Sequence, residues 1–178
     1  IILTIVEIIF LLIGKMPLFD TLCLSFGTAG TGGFGVKNDS IASYSTYNQV
    51  VITVFMILFG INFNAYYLLL TKKVMQAAKN EEVRYYLGII GLAIVAIAIN
   101  TREMFTSFGS AFQQAAFQVG SIITTTGYAT TDFNVWPVFS KTILVILMFV
   151  GACAGSTGGG IKVSRLLILC KSARKELQ

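Results

Sequence analysis

Apolar residues occupy long stretches of this chain, and charged residues are confined to the gaps between them. No charge falls between Asp39 and Lys72, between Arg84 and Arg102, between Glu103 and Asp132, or between Lys141 and Lys162. A helix needs about 20 mainly apolar residues to cross about 30 Å of hydrocarbon. Val50–Leu70 meets that length outright, and Val83–Thr101 meets it with Arg84 at the interface. Ile1–Ile13 is apolar apart from Thr4 and Glu7, which reads as a helix whose beginning is cut off. The chain is therefore expected to be an internal piece of a longer protein.

Met104–Thr131 follows a different pattern. It is uncharged yet rich in Ser, Thr, Gln and Gly, too polar to face lipid and too poor in charge for an ordinary surface loop. Irregular backbone at membrane depth is tolerated only inside protein or beside a water-filled cavity. The composition predicts a re-entrant hairpin, with a short helix going in and an extended segment coming back. A shift of 94 residues then places Thr31-Gly32-Gly33-Phe34-Gly35 on Thr125-Thr126-Gly127-Tyr128-Ala129. Each block follows a half-polar run (Thr21–Thr28, Ala115–Ile122) and lies between apolar helices. The expected fold class is all-α and integral to the membrane. It consists of two helix–pore-loop–helix repeats, over 1–71 and 83–178, joined by a polar linker at 72–82.

Composition narrows the function classes. Of 178 residues, 55% are hydrophobic and 12% charged, with a mean hydropathy of +0.78. A soluble domain carries about 25% charged residues, so a water-soluble fold is not expected. The chain has no histidine, which removes the commonest general base and the commonest metal ligand. Cys23, Cys153 and Cys170 lie far apart in apolar surroundings, a spacing for neither zinc nor a disulfide framework. Cys23 and Cys153 read as small core residues. No enzymatic chemistry and no cofactor is expected.

Lys and Arg set an orientation. Lys72–Arg84 holds four of them and Lys162–Lys175 five, against two each in Lys15–Tyr47 and Arg102–Lys141. The positive-inside rule puts the first two segments in the cytoplasm and the others outside. This implies a multi-pass protein of the cell's inner (plasma) membrane, in contact with lipid. The net charge of +5 is a cytoplasmic anchor and calls for no nucleic-acid partner.

A dehydrated monovalent cation needs a cage of oxygens in place of its water shell, and backbone carbonyls in an extended segment supply one. The carbonyls of Gly32, Gly33, Thr126 and Gly127 are the candidates for holding such a cation. Glycine at Gly33 and Gly127 permits φ values barred to other residues. Thr31 and Thr125 add neutral hydroxyl oxygens, and the aromatics Phe34 and Tyr128 are expected to pack outward as a cuff. The C-terminal end of each pore helix directs partial negative charge inward. Neither block contains a carboxylate; Asp20, Asp39 and Asp132 stand nearby, at the mouth.

A third element follows Thr142–Val150, where a helix runs into Gly151, Gly155, Gly158, Gly159 and Gly160. Each glycine costs about 1 kcal/mol against alanine in a helix, so the helix should break in mid-membrane. The residues Ala154, Gly155, Ser156, Thr157, Gly158, Gly159 and Gly160 then form a flexible constriction. The corresponding stretch of the first repeat, Gly60-Ile-Asn-Phe-Asn64, has too few glycines to form such a loop.

Three segments together, Phe26–Gly35, Ser121–Thr130 and Gly151–Lys162, resemble the Trk/Ktr/HKT superfamily of potassium and sodium uptake channels, most nearly its bacterial Trk/Ktr-type membrane subunits. The resemblance covers essentially the whole chain. It implies a pseudo-four-fold, potassium-channel-like pore of four repeats, of which this chain holds the second and third. It further implies K⁺ as the ion carried, filter roles for Gly33 and Gly127, and an intramembrane gate at Ala154–Gly160. Expected partners are monovalent cations, a second copy of the full-length protein, and a cytosolic nucleotide-binding regulatory subunit.

Other readings stand beside this one. An alternating-access cation carrier would also use broken helices. Gly30–Gly35 formally matches G-x-G-x-x-G, but a loop rather than a helix follows it. Gly155–Lys162 approaches a phosphate-binding loop, with its lysine one place late and no Ser or Thr after it. Both patterns would point to a nucleotide-binding membrane enzyme. Asn62 and Asn64 are either ion contacts or interhelical hydrogen-bonding groups. Glu7 is either a proton or ion site or an interfacial residue. Lys162 and Arg165 either steady the glycine-rich loop or anchor the interface.

Overall fold

The computed structural model of the protein describes residues 1–72 and 80–176. Over these residues the regular structure is helical, and the β feature is an isolated parallel bridge between Val150 and Ile161. The first half contains α1 (Ile2–Ile13), α2 (Leu18–Ala29), α3 (Thr46–Phe59) and α4 (Phe63–Leu70). The second contains α5 (Glu81–Asn100), α6 (Phe108–Ile123), α7 (Val138–Phe149) and α8 (Val163–Glu176). Short 3-10 turns at Arg102–Met104 and Phe133–Val135 connect the second set. The linker expected at 72–82 lies mostly outside the described residues.

Among the described residues α5 is the one unbroken helix long and apolar enough to cross a bilayer. The continuous span expected over Val50–Leu70 is corrected by the structure. The helix stops at Phe59 and restarts at Phe63, the two pieces bent by 92°. A Cβ on Gly60 would lie 2.0 Å from the Tyr86 hydroxyl oxygen, so this position takes no side chain as packed. Asn62 then caps α4, its side-chain oxygen accepting the Asn64 N–H at 2.8 Å. The break depends on a residue of α5, beyond the reach of any local hydropathy window.

Two cores meet at α6. One gathers Leu11 of α1, Leu24 of α2 and Ile52 and Met56 of α3, and admits Phe117 of α6 and Tyr128 from the second half. The other joins Tyr86, Ile90 and Ile97 of α5 to Val119 and Ile123 of α6 and Leu144 and Leu147 of α7. Gly120 of α6 lies against Ile57, and Gln113 donates to the Gln49 side chain of α3 at 3.0 Å. Ile5 and Ile9 of α1, Leu92 and Ile99 of α5, and Ile146 and Phe149 of α7 are exposed. Apolar surface on this scale suits a fold solvated by lipid.

Candidate functional site

The two short helices α2 and α6 end in the same way. The Gly32 N–H donates to the Gly27 carbonyl at 2.8 Å, and the Thr31 N–H to Thr28 at 3.1 Å. In α6 the Thr126 N–H donates to Ser121 at 2.9 Å, and the Thr125 N–H to Ile122 at 3.0 Å. This is the Schellman closure, whose pivot residue must enter the left-handed region. Threonine occupies that pivot in both copies, at Thr31 (φ 50°) and Thr125 (φ 57°). A left-handed residue other than glycine costs about 1–2 kcal/mol, and β-branched ones are rarely seen there. A second left-handed residue follows two positions later, at Gly33 (φ 68°) and Gly127 (φ 89°). Each chain therefore leaves its helix sharply and returns extended past the helix's C-terminal end, where the partial negative charge lies.

The extended segments are neighbours. A Cβ on Gly33 would lie 1.9 Å from the Thr126 carbonyl oxygen. Farther along, the Ile41 N–H donates to Ala129 at 3.1 Å, and the Ala129 N–H donates to the Ser40 hydroxyl at 3.2 Å. Among the described residues no backbone donor reaches the carbonyls of Gly32, Gly33, Thr126 or Gly127. These oxygens carry lone pairs that a bare cation can use.

The expectation that Phe34 and Tyr128 pack alike is corrected. Tyr128 is buried, and its hydroxyl donates to the Leu24 carbonyl of α2 at 3.2 Å. Phe34 is 82% exposed, with its ring edge folded toward Gly32. Tyr128 thus seats on α2, the short helix of the first half.

The glycine-rich segment lies against the helix-side ends of both blocks. The Thr31 hydroxyl proton is shared between the carbonyls of Gly30 and Thr157, at 2.8 and 3.1 Å. The Gly159 N–H donates to the Thr125 hydroxyl at 2.7 Å. A Cβ on Gly158 would meet Ala152 at 2.6 Å and the Thr124 carbonyl oxygen at 3.1 Å. Ser156 donates its hydroxyl to the Cys153 carbonyl at 2.7 Å, and Gly155 and Gly160 have φ of 70° and 73°. At its neck the Gly151 N–H donates to Ile161 at 2.9 Å and the Ile161 N–H to Phe149 at 3.2 Å. The Lys162 ammonium donates to the Gly158 carbonyl, so of its two readings the loop-steadying one is seen. Arg165 is exposed and makes no such contact.

The α3–α4 break forms no second loop; it serves as a shelf for the first one. The Cys153 N–H donates to the Gly60 carbonyl at 3.0 Å, and the Phe63 N–H donates to Gly155 at 3.1 Å. Asn62 reaches the Glu82 carboxylate at 3.4 Å, the interhelical role, while Asn64 is exposed. Glu7 is fully buried in α1, and neither carboxyl oxygen has a hydrogen-bond partner among the described residues. Cys153 is buried, Cys23 half-buried and Cys170 exposed.

One residue escaped the sequence reading. Glu82, taken as the end of a polar linker, is buried, and its carboxylate accepts the Ala154 N–H at 2.6 Å. The adjacent Glu81 is exposed and pairs with Lys171 of α8 at 2.5 Å. That hydrogen bond and charge hold the Glu81 carboxyl below its ordinary range and the Lys171 ammonium above its own.

Residues 83–178, more than half of the chain, match the family model of TrkH, described as cation transport protein. The Trk system potassium uptake protein TrkH of Salmonella typhimurium is 32% identical over 167 residues, 92% of this chain and 35% of that protein. Its namesake in Vibrio parahaemolyticus is 35% identical over 175 residues, 95% of this chain and 36% of that protein. A crystal structure of the potassium transporter TrkH from Vibrio parahaemolyticus matches with a TM-score of 0.91 at 34% identity. That match covers 98% of this chain and 39% of the other. The chain thus spans little more than a third of the length of these relatives.

Proposed function

Because the chain belongs to the TrkH family of cation transport proteins, we propose that it supplies part of a membrane pathway for K⁺, built from two of the pathway's filter strands and an intramembrane loop. The observation that carries this reading is the meeting of two identically closed helix ends. Their extended segments leave the carbonyls of Gly32, Gly33, Thr126 and Gly127 without a backbone donor among the described residues. Such oxygens replace the water shell of a monovalent cation, and the helix C-termini behind them favour positive charge. Thr31 and Thr125 lie at the helix-side end of the path. The loop Ala154–Gly160 lies against both and narrows the path there.

On this reading repeats at 1–71 and 83–178 flank a cytoplasmic linker at 72–82, and the full-length protein resides in the inner membrane. The family resemblance supports a homodimer and a cytosolic nucleotide-binding regulatory subunit for that full-length protein. No resident cofactor is invoked; K⁺ is the substrate.

The test is Gly127→Ser in a full-length transporter containing this chain, reconstituted in liposomes. The Cβ at Gly127 meets nothing within 4 Å, so the change is felt at φ 89° and in the filter strand itself. The K⁺/Na⁺ flux ratio should fall. An unchanged ratio would falsify the filter reading.

A further inference from the structure

Glu82 stands at the head of α5, where its own N–H donates to the Asn80 side chain at 3.1 Å. It is buried, and the one ion pair among the described residues belongs to its neighbour Glu81. Its carboxylate is instead held by dipoles from three separate elements. One oxygen accepts the Ala154 N–H at 2.6 Å and the Ser164 N–H at 3.3 Å. The other accepts from the Asn62 amide at 3.4 Å.

Ala154 opens the glycine-rich loop, and Ser164 lies in the first turn of α8, just past the loop's end. A single carboxylate oxygen therefore ties both feet of the loop together, and its partner oxygen ties them to the α3–α4 break. A carboxylate is favoured at such a place, because the first N–H groups of α8 have no partner within their own helix. Hydrogen bonds to an ionised group are roughly twice as strong as neutral ones. The loop's tip, by contrast, is held to the filter blocks by the neutral hydroxyls of Thr31 and Thr125. The carboxylate anchor is at the base, and the contacts to the two blocks are neutral hydroxyls.

The geometry points to Glu82 as the positioning residue that staples the intramembrane loop in its closed place. This inference rests on the conduction reading above. Withdrawing the carboxylate frees Ala154, Ser164 and Asn62 at once, and the loop is left to its backbone contacts with the α3–α4 break, the Lys162 contact to Gly158 and the tip hydroxyls.

The experiment is a four-way comparison of K⁺ uptake into liposomes holding a full-length transporter that contains this chain. Glu82→Ala is made in the intact protein and in one lacking Gly155–Gly160. With the loop present, Glu82→Ala should raise flux about tenfold, the population shift expected from losing a charge-assisted anchor. With the loop absent it should change nothing further. Glu82→Gln, which keeps one acceptor oxygen without the charge, should fall between wild type and alanine, and it serves as the readout if alanine fails to fold.

The staple is overturned if loop deletion raises flux while neither Glu82 variant does. It is overturned as well if the variants lower flux equally with and without the loop, which is the mark of a purely structural residue. If deleting the loop leaves flux at the wild-type level, the constriction itself is refuted, and the staple with it.

Discussion

The two glycine blocks, Thr31–Gly35 and Thr125–Ala129, share a backbone path and differ in what stiffens it. Both leave their helix through a Schellman closure with a left-handed threonine, and both turn again at a left-handed glycine. In the second block the Ser121 hydroxyl donates to the Tyr128 carbonyl at 2.6 Å, and Thr124 and Thr126 share a hydroxyl contact of 2.7 Å. The equivalent residues of the first block are Gly27, Gly30 and Gly32, which offer no hydroxyl at all. Gly27 is bare for a reason: a Cβ there would lie 2.3 Å from the Tyr128 hydroxyl oxygen of the other block. The first block gives up its own brace so that the second can seat its aromatic ring. Helix closure and glycine placement dictate the path of such a strand, and side-chain hydroxyls dictate its stiffness.

The sharpest way to strain this comparison is alanine at each filter glycine. Gly33→Ala pushes a Cβ to 1.9 Å from a backbone oxygen, on top of a left-handed φ. It should cost several kcal/mol (overpacking alone costs ~1–3) and leave little folded transporter. Gly127→Ala meets open space and should cost only the backbone term of about 1–2 kcal/mol. Melting of the purified full-length proteins in detergent separates the two, and equal losses would break the comparison.

A smaller effect is expected at the seat of Tyr128. Gly27→Ala should destabilise by about 1–3 kcal/mol through contact with the Tyr128 hydroxyl. Adding Tyr128→Phe removes that oxygen and should restore most of the loss, although Tyr128→Phe alone costs about 1 kcal/mol. The same melting assay reads the cycle; failure of the rescue would show that the seat does not depend on this hydroxyl.

The smallest effect belongs to the brace. Ser121→Ala should cost about 1 kcal/mol and release the Tyr128 carbonyl, lowering the K⁺/Na⁺ flux ratio more than it lowers stability. A stability loss with no change in the ratio would make the hydroxyl a packing element and remove the distinction drawn between the blocks.

Much of this site is legible in the sequence because backbone conformation has a local chemical signature. Gly33 and Gly127 mark one left-handed turn in each block before any fold is known, whereas the left-handed threonines Thr31 and Thr125 carry no such mark. The run from Gly151 to Gly160 exposes the helix break for the same reason. What stays hidden depends on distant partners. The break at Gly60 is set by the hydroxyl of Tyr86, on a later helix. The seat of Tyr128 is a carbonyl 104 residues earlier in the chain, a matter of fold order and not of residue type. Glu82 looks like any linker carboxylate, since its backbone donors lie 72 and 82 residues away. Local composition reports what a segment is able to do, and only packing reports what it is held against.

The bridge between Val150 and Ile161 has a consequence for how the membrane span tolerates change. Because backbone hydrogen bonds close the neck, the ends of the glycine segment meet each other rather than the two half-helices having to find one another across it. The segment is then a ring tethered at its neck. Ring-closure entropy grows slowly with length, by about 0.6 kcal/mol for each doubling. Insertions or deletions within the ring are therefore cheap in closure entropy, because its two ends stay tied at the neck.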